Sequence, residues 1–239
     1  MNRGPRVKGD KPIEPRPRDV LLESLRAVIT NPASLAVWTV LVVAALVVLV
    51  HDLLTVAEGI APLMKLVWTL TVLYSGPLGL GVYWVAGRPT ISHDSTWRRA
   101  ARSVAHCYSG CGAGEVFGVV LAAGLLALDQ WRVAAVTFAC AYVAGYALTV
   151  GPLLQEGVGL GEALRDALYS ETPSITVMEV TAIGTDVVVA GEATITEPLF
   201  WTALILSLSV GFVVVYPVNV ALVAGGVKSG MADPREAAA

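Results

Sequence analysis

Charge is scarce in this sequence. Asp, Glu, Lys and Arg make up 15% of its 239 residues, against roughly 25% in a soluble domain. With 55% apolar residues and a mean hydropathy of +0.68, that shortage excludes a water-soluble globular fold. The net charge of −3 carries no basic surplus. No zinc-finger or recognition-helix spacing occurs either, so no nucleic-acid partner is expected. Cysteine is rare: Cys107, Cys111 and Cys140 all lie inside apolar runs, which excludes a disulfide-stapled secreted scaffold. Of the three histidines only His106 falls within such a run, so haem is not expected. Gly110-x-Gly112-x-Gly114 has no preceding strand and no Walker lysine follows it, so neither flavin nor nucleotide is expected. The basic N-terminus leads into a polar stretch, not a short apolar core with a cleavage site, and a cleaved signal peptide is not expected.

What the chain does have is length of apolar run. Residues 1–18, with Pro5, Pro12, Pro15 and Pro17 among six basic residues, read as a disordered basic tail. Residues 19–30 place Leu21, Leu22, Leu25, Val28 and Ile29 at helical spacing, a short amphipathic helix for the membrane interface. Six spans follow in a membrane domain over 34–223: about 34–50, 61–85, 104–128, 133–154, 174–191 and 199–223. Each approaches or exceeds the roughly 17 to 25 residues that a bilayer core requires. The second is interrupted by Tyr74-Ser75-Gly76-Pro77, and the fifth is the least apolar because it holds Glu179 and Asp186. Leu160, Leu164, Ala167 and Leu168 make a second amphipathic turn before it, and residues 224–239 form a C-terminal tail. The expected fold is an all-α, six-helix bundle in the plasma or inner membrane, with an oligomer left open.

Basic residues orient such a bundle. With six crossings, Arg3, Arg6, Lys8, Lys11, Arg16, Arg18, Arg26, Arg88, Arg98, Arg99, Arg102, Arg165, Lys228 and Arg235 share one side, and only Lys65 and Arg132 take the other. Both termini are then cytoplasmic.

The chemistry is concentrated in the third span. Cys107, Cys111 and Glu115 recur every four residues and so form one stripe on a helix. His106 stands at its edge, offset by about 100°. Gly110, Gly114 and Gly118 form a neighbouring stripe that admits a second helix closely. In the fifth span Glu171, Met178, Glu179 and Asp186 share a face. Tyr216, Pro217 and Asn219 lie near the end of the sixth, where Pro217 frees a carbonyl one turn earlier as an acceptor. Acids in hydrocarbon each carry a penalty of about 2.5 to 3.5 kcal/mol on insertion scales for Asp, so partners are expected for them.

His106-Cys107-x3-Cys111-Gly112-x-Gly114-Glu115, with Glu171-Thr172-Pro173-Ser174, Met178-Glu179 and Tyr216-Pro217-Val218-Asn219 before a basic residue and Met231, resembles a family of uncharacterised bacterial and archaeal membrane proteins, a domain of unknown function. The resemblance covers about residues 66–231. It implies a polytopic membrane fold, with no activity or catalytic residue to carry over.

Soft sulfur selects Cu(I) or Zn(II), and imidazole and carboxylate widen the choice. The first expectation is therefore passage of such a metal ion through His106, Cys107, Cys111, Glu115, Met178 and Glu179. The second is a proton- or cation-coupled transporter of a small solute, with Glu115, Glu171, Glu179 and Asp186 as the relay. A membrane thiol-redox protein comes third, because cysteines four apart on a helix are poorly placed to bridge. An enzyme is not the leading expectation. The partners expected are the bilayer and a metal ion or small cation.

Overall fold

The computed structural model describes residues 16–231 and 233–236. The tail reading over residues 1–15 lies outside them. Among the described residues eight helices follow one another: α1 (Pro17–Thr30), α2 (Pro32–Thr55), α3 (Pro62–Ser75), α4 (Pro77–Val82), α5 (Thr96–Val119), α6 (Gln130–Gln155), α7 (Leu160–Ala190) and α8 (Pro198–Ala224). A π turn, Tyr83–Gly87, extends α4, and a second, Val120–Leu125, extends α5. Proline opens α1, α2, α3, α4 and α8, where its missing N–H belongs to the unpaired first turn anyway. Asn31 caps α2 through the Ala33 N–H, and Asp129 caps α6 through that of Arg132.

Among the described residues five helices are long and apolar enough to cross a membrane: α2, α5 with its π turn, α6, α7 and α8. This is a multi-pass helical membrane protein. The expected second span over 61–85 is not a sixth straight crossing. Trp68 and Tyr83 are fifteen residues apart, which a straight helix would place about 22 Å apart, yet their ring centroids lie 5.3 Å apart. A Cβ at Gly79 would stand 2.8 Å from the Thr71 carbonyl oxygen, and Gly87 lies flat on the Trp68 indole. The chain therefore enters along α3, reverses at Gly76 and returns along α4. Gly76 has φ +57° and ψ −131°, backbone that a side chain would strain. A Cβ there would also stand 3.1 Å from Val42 in mid-α2.

The returning arm is clamped to the end of α2. The Tyr83 hydroxyl donates to Asp52 Oδ2 at 2.6 Å, and Arg88 donates to both Asp52 oxygens at 2.6 and 3.1 Å. Both ends of the hairpin thus lie where α2 ends.

This reversal changes which residues share a side. Arg26 of α1 donates to the Val188 and Val189 carbonyls at the last turn of α7, and Leu22, Leu25 and Ile29 pack on Val189, Ala190 and Ala203. Lys228, after α8, reaches Glu171 near the other end of α7. The two termini of the described chain consequently lie at opposite ends of the bundle, correcting the expectation of both on one side. At the Lys228 end are Lys65, Arg88, Arg98, Arg99, Arg102, Arg165, Lys228 and Arg235; at the Arg26 end are Arg16, Arg18, Arg26 and Arg132. Arg3, Arg6, Lys8 and Lys11 precede the described residues. The split of fourteen to two narrows to eight to four among the described residues.

α5 sits at the centre, with 56% of its apolar window buried against 17% to 39% for the other four. Its glycine stripe meets the backbone of α6. A Cβ at Gly110 would lie 3.1 Å from Gly145 Cα, one at Gly114 2.6 Å from Ala141 Cα, and one at Gly118 2.7 Å from Thr137 Cα. The second amphipathic turn is continuous with α7 through Pro173. It buries Ala163 and Ala167 and leaves Leu160, Leu164 and Leu168 exposed.

Candidate functional site

Polar groups run the length of the bundle between α5, α7 and α8. From the Arg26 end, a cavity of about 480 Å³ opens inward, with Gln130 and Glu192 at the rim and Asp186, Thr137, Ser207 and Glu115 along its walls. Asp186 lies four residues from the end of α7, about 6 Å in, and Glu179 eleven residues, about 16 Å in. Glu115 reaches the same depth from α5.

Here two acids meet. Glu115 and Glu179 face one another within side-chain reach, and Cys111 borders Glu179. Glu179 is 0% exposed and Glu115 2%. Neither oxygen of Glu179, nor Oε1 of Glu115, nor Oδ1 of Asp186 has a hydrogen-bond partner among the described residues. Two carboxyls this close, with Glu179 out of water and Glu115 at the cavity wall, repel one another when both are charged unless a proton or cation lies between them.

Cys107 and Cys111 continue the column, their sulfurs 3.8 Å apart. Met178 is fully buried and packs on Gly211 of α8. His106 does not join these groups. It lies within reach of the Glu171 and Lys228 charges without a hydrogen bond to either among the described residues, one residue of offset on a helix turning it about 100° from Cys107. Among the described residues no three His, Cys, Asp or Glu side chains converge as a metal cage. Tyr216 donates to the Trp97 carbonyl at 3.3 Å, away from the column. Pro217 and Val213, whose carbonyl it frees, are exposed on the outer face. That carbonyl is not a ligand in the column.

At the Lys228 end the column closes. Lys228 Nζ donates to Glu171 Oε2 at 2.6 Å and to Asn219 Oδ1 at 3.3 Å. The same Asn219 oxygen accepts from Ser103 Oγ at 3.3 Å and Ser174 Oγ at 3.2 Å. Outside it, Arg102 grips Asp94 with two bonds of 3.0 and 2.9 Å. Burial alone would raise the Asp94 carboxyl, but the Arg102 guanidinium and the Ser95 N–H outweigh it and hold it below its ordinary range.

Ser103 carries no site signal in the sequence, and Lys228 enters there only as the basic residue that follows Tyr216-Pro217-Val218-Asn219 in the family resemblance. Lys228 follows two glycines in what reads as a tail, and Ser103 has no spacing that sets it apart.

A family model described as a domain of unknown function, DUF4396, matches residues 96–228. The chain belongs to this family. The DUF4396 region runs from the first turn of α5 to Lys228, so it holds the whole polar column and leaves out α1, α2 and the re-entrant hairpin. No curated protein and no solved structure matches the chain.

Proposed function

We propose that the protein passes protons, or a small cation, across the cell membrane, with the facing Glu115 and Glu179 carboxyls as the central carrier. The observation that carries this reading is the pair itself: two acids at mid-depth, with unpartnered oxygens, Glu115 lining a cavity open to one side and Glu179 behind it. An acid so placed loses free energy of hydration and regains it only when a proton or cation is supplied. Asp186, one helical turn from the mouth, gives an arriving ion its first negative charge. The polar line onward through Ser174 and Asn219 to Glu171 supplies a route to the far side.

Passage of Zn(II) or Cu(I) is the second reading. It is favoured by the 3.8 Å between the Cys107 and Cys111 sulfurs. Two thiolates at about 2.3 Å from a tetrahedral zinc stand about 3.8 Å apart. It ranks second because His106 lies elsewhere and the third ligand is not in place.

Both readings are tested with the full chain in sealed vesicles. An internal pH dye follows proton flux under a potassium–valinomycin potential. Glu115→Gln and Glu179→Gln should each lower the flux by about a hundredfold, the lower end of what a positioned proton-transfer group contributes. Wild-type flux equal to that of empty vesicles, for protons, Na+ and K+ alike, removes the first reading. Metal analysis of purified wild type against Cys107→Ser/Cys111→Ser decides the second. Negligible metal in both removes it.

A further inference from the structure

The Lys228 end holds a built site that the cavity does not reach. Its centre is an ammonium nitrogen held by Glu171 Oε2 at 2.6 Å and Asn219 Oδ1 at 3.3 Å. Asn219 is 0% exposed, Glu171 5% and Lys228 6%. Ser103 and Ser174 both turn their hydroxyls onto the same Asn219 oxygen, so the ammonium touches two oxygens, from α7 and α8, and two hydroxyls, from α5 and α7, stand behind one of them. His106, 5% exposed and within reach of the pair's charges, keeps an Nδ1 without a partner among the described residues.

The charge comes from outside the helices. Lys228 belongs to a strap, residues 225–231, that leaves the end of α8 and folds back over the bundle. Gly226 and Gly230 flank the lysine with φ of +70° and +74°, two positions free to swing where other residues would be strained. The strap is held on both sides of the lysine. The Val227 and Lys228 N–H groups donate to the Leu222 carbonyl at 3.0 and 3.2 Å. Arg102 Nη2 donates to the Met231 carbonyl at 3.1 Å. Between them the ammonium enters the bundle.

We propose that Glu171, Asn219, Ser103 and Ser174 form a site for a monovalent alkali cation, and that the Lys228 ammonium is its tethered occupant. The strap holds the site closed while its own charge fills it, and an incoming Na+ or K+ takes that place when the strap swings out. The ligands set the class. All are oxygens, the donors that hard cations take. One carboxylate among neutral oxygens balances a single positive charge, so a divalent ion would leave a surplus in a buried site. A vacated Glu171 would be a buried lone carboxylate, which requires a replacement. The inference rests on the preceding reading only for its use in transport; the site itself stands apart from Glu115 and Glu179.

The test uses the full chain in detergent, with K+ or Na+ exchanged for N-methyl-D-glucamine at fixed ionic strength. In Lys228→Met the site loses its tethered charge. Its thermal midpoint should therefore rise with K+ or Na+, and the response should vanish in Lys228→Met/Glu171→Gln. A Lys228→Met midpoint indifferent to the cation overturns the proposal. Should Lys228→Met not fold, wild type decides by hydrogen exchange at the Val227 and Lys228 amides. A hundredfold rise in K+, from about 1 to about 100 mM, should speed their exchange by about tenfold for a Kd of about 10 mM, and by up to about a hundredfold for tighter binding, if the ion binds only the open strap. Exchange unchanged by cation overturns it. A loss of flux in Glu115→Gln bears on the central carrier alone and leaves both outcomes here intact.

Discussion

Glu179→Met separates a carboxyl that serves the fold from one that serves transport. Glu179 is 0% exposed and neither of its oxygens has a hydrogen-bond partner among the described residues. Methionine keeps an unbranched chain of similar length and fills the same space without a charge. If the carboxyl tied α7 to α5 through an interhelical hydrogen bond, losing it would cost about 0.6 kcal/mol and at most about 1.7. If it is buried unsatisfied, its removal relieves about 1 to 3 kcal/mol. In a protein of 150 to 250 residues each kcal/mol moves the midpoint by about 2 to 4 °C. The expected outcome is thus a rise of about 2 to 12 °C, accompanied by loss of proton flux. Thermal unfolding in detergent and the vesicle assay read the two effects on one preparation. A lowered midpoint would refute the reasoning, because it would make Glu179 a structural tie. Glu115→Met should gain less, since Glu115 borders the cavity and keeps access to water there.

Other consequences are independent of that pair. Gly114→Ala places a methyl 2.5 Å from the Cys140 carbonyl oxygen and 2.6 Å from Ala141 Cα. α5 and α6 must then separate by about 1 Å, lowering stability by about 1 to 3 kcal/mol, while Gly151→Ala, with open space around it, should be neutral by the same unfolding measurement. In a Cys140→Ser background, Gly59→Cys and Ser92→Cys should react with an impermeant maleimide from the same side of the membrane and Ser24→Cys from the opposite one. Labelling of residues 59 and 92 from opposite sides would restore a sixth crossing. The Asp94–Arg102 pair should help stability equally from pH 5 to 8. Because its folded-state pKa is lowered, the contribution is full above the usual 3.8 and lost only as pH falls through the lower folded value. A wild-type minus Asp94→Asn midpoint difference that already fades at pH 6 would contradict this.

The stripe of Cys107, Cys111 and Glu115 is legible because a helix repeats its faces every four residues whatever surrounds it, and α5 needs no tertiary contact to display it. Which partner meets the stripe is a different matter. Glu179 comes opposite Glu115 through the packing of α5 on α7, whereas His106, the nearest neighbour of Cys107 in sequence, turns to another group altogether. The role of Lys228, which the sequence offers only as a basic residue after Asn219, is hidden for a related reason: a lysine after Gly225-Gly226 has no helical period, and its role arises only when the strap folds back onto α7.

The larger miss is the hairpin, and its consequences follow from counting. Hydropathy registers apolar length without direction, so Tyr74-Ser75-Gly76-Pro77 reads as a blemish in a straight span even though Gly76 turns the chain back. Charge could not rescue the reading. Every basic residue from Arg88 onward keeps the same neighbours on the same side in either topology; only Lys65 and the residues before α2 change sides. A positive-inside count therefore tests α1 and α2 against the rest of the bundle and says nothing about the DUF4396 region by itself. Within that region α5 and α7 both start at the Lys228 end, so Glu115 and Glu179 meet at one depth in either topology. The acid pair depends on α5 and α7 alone, and the hairpin, clamped through Asp52 to α2, bears instead on which side of the membrane the cavity opens.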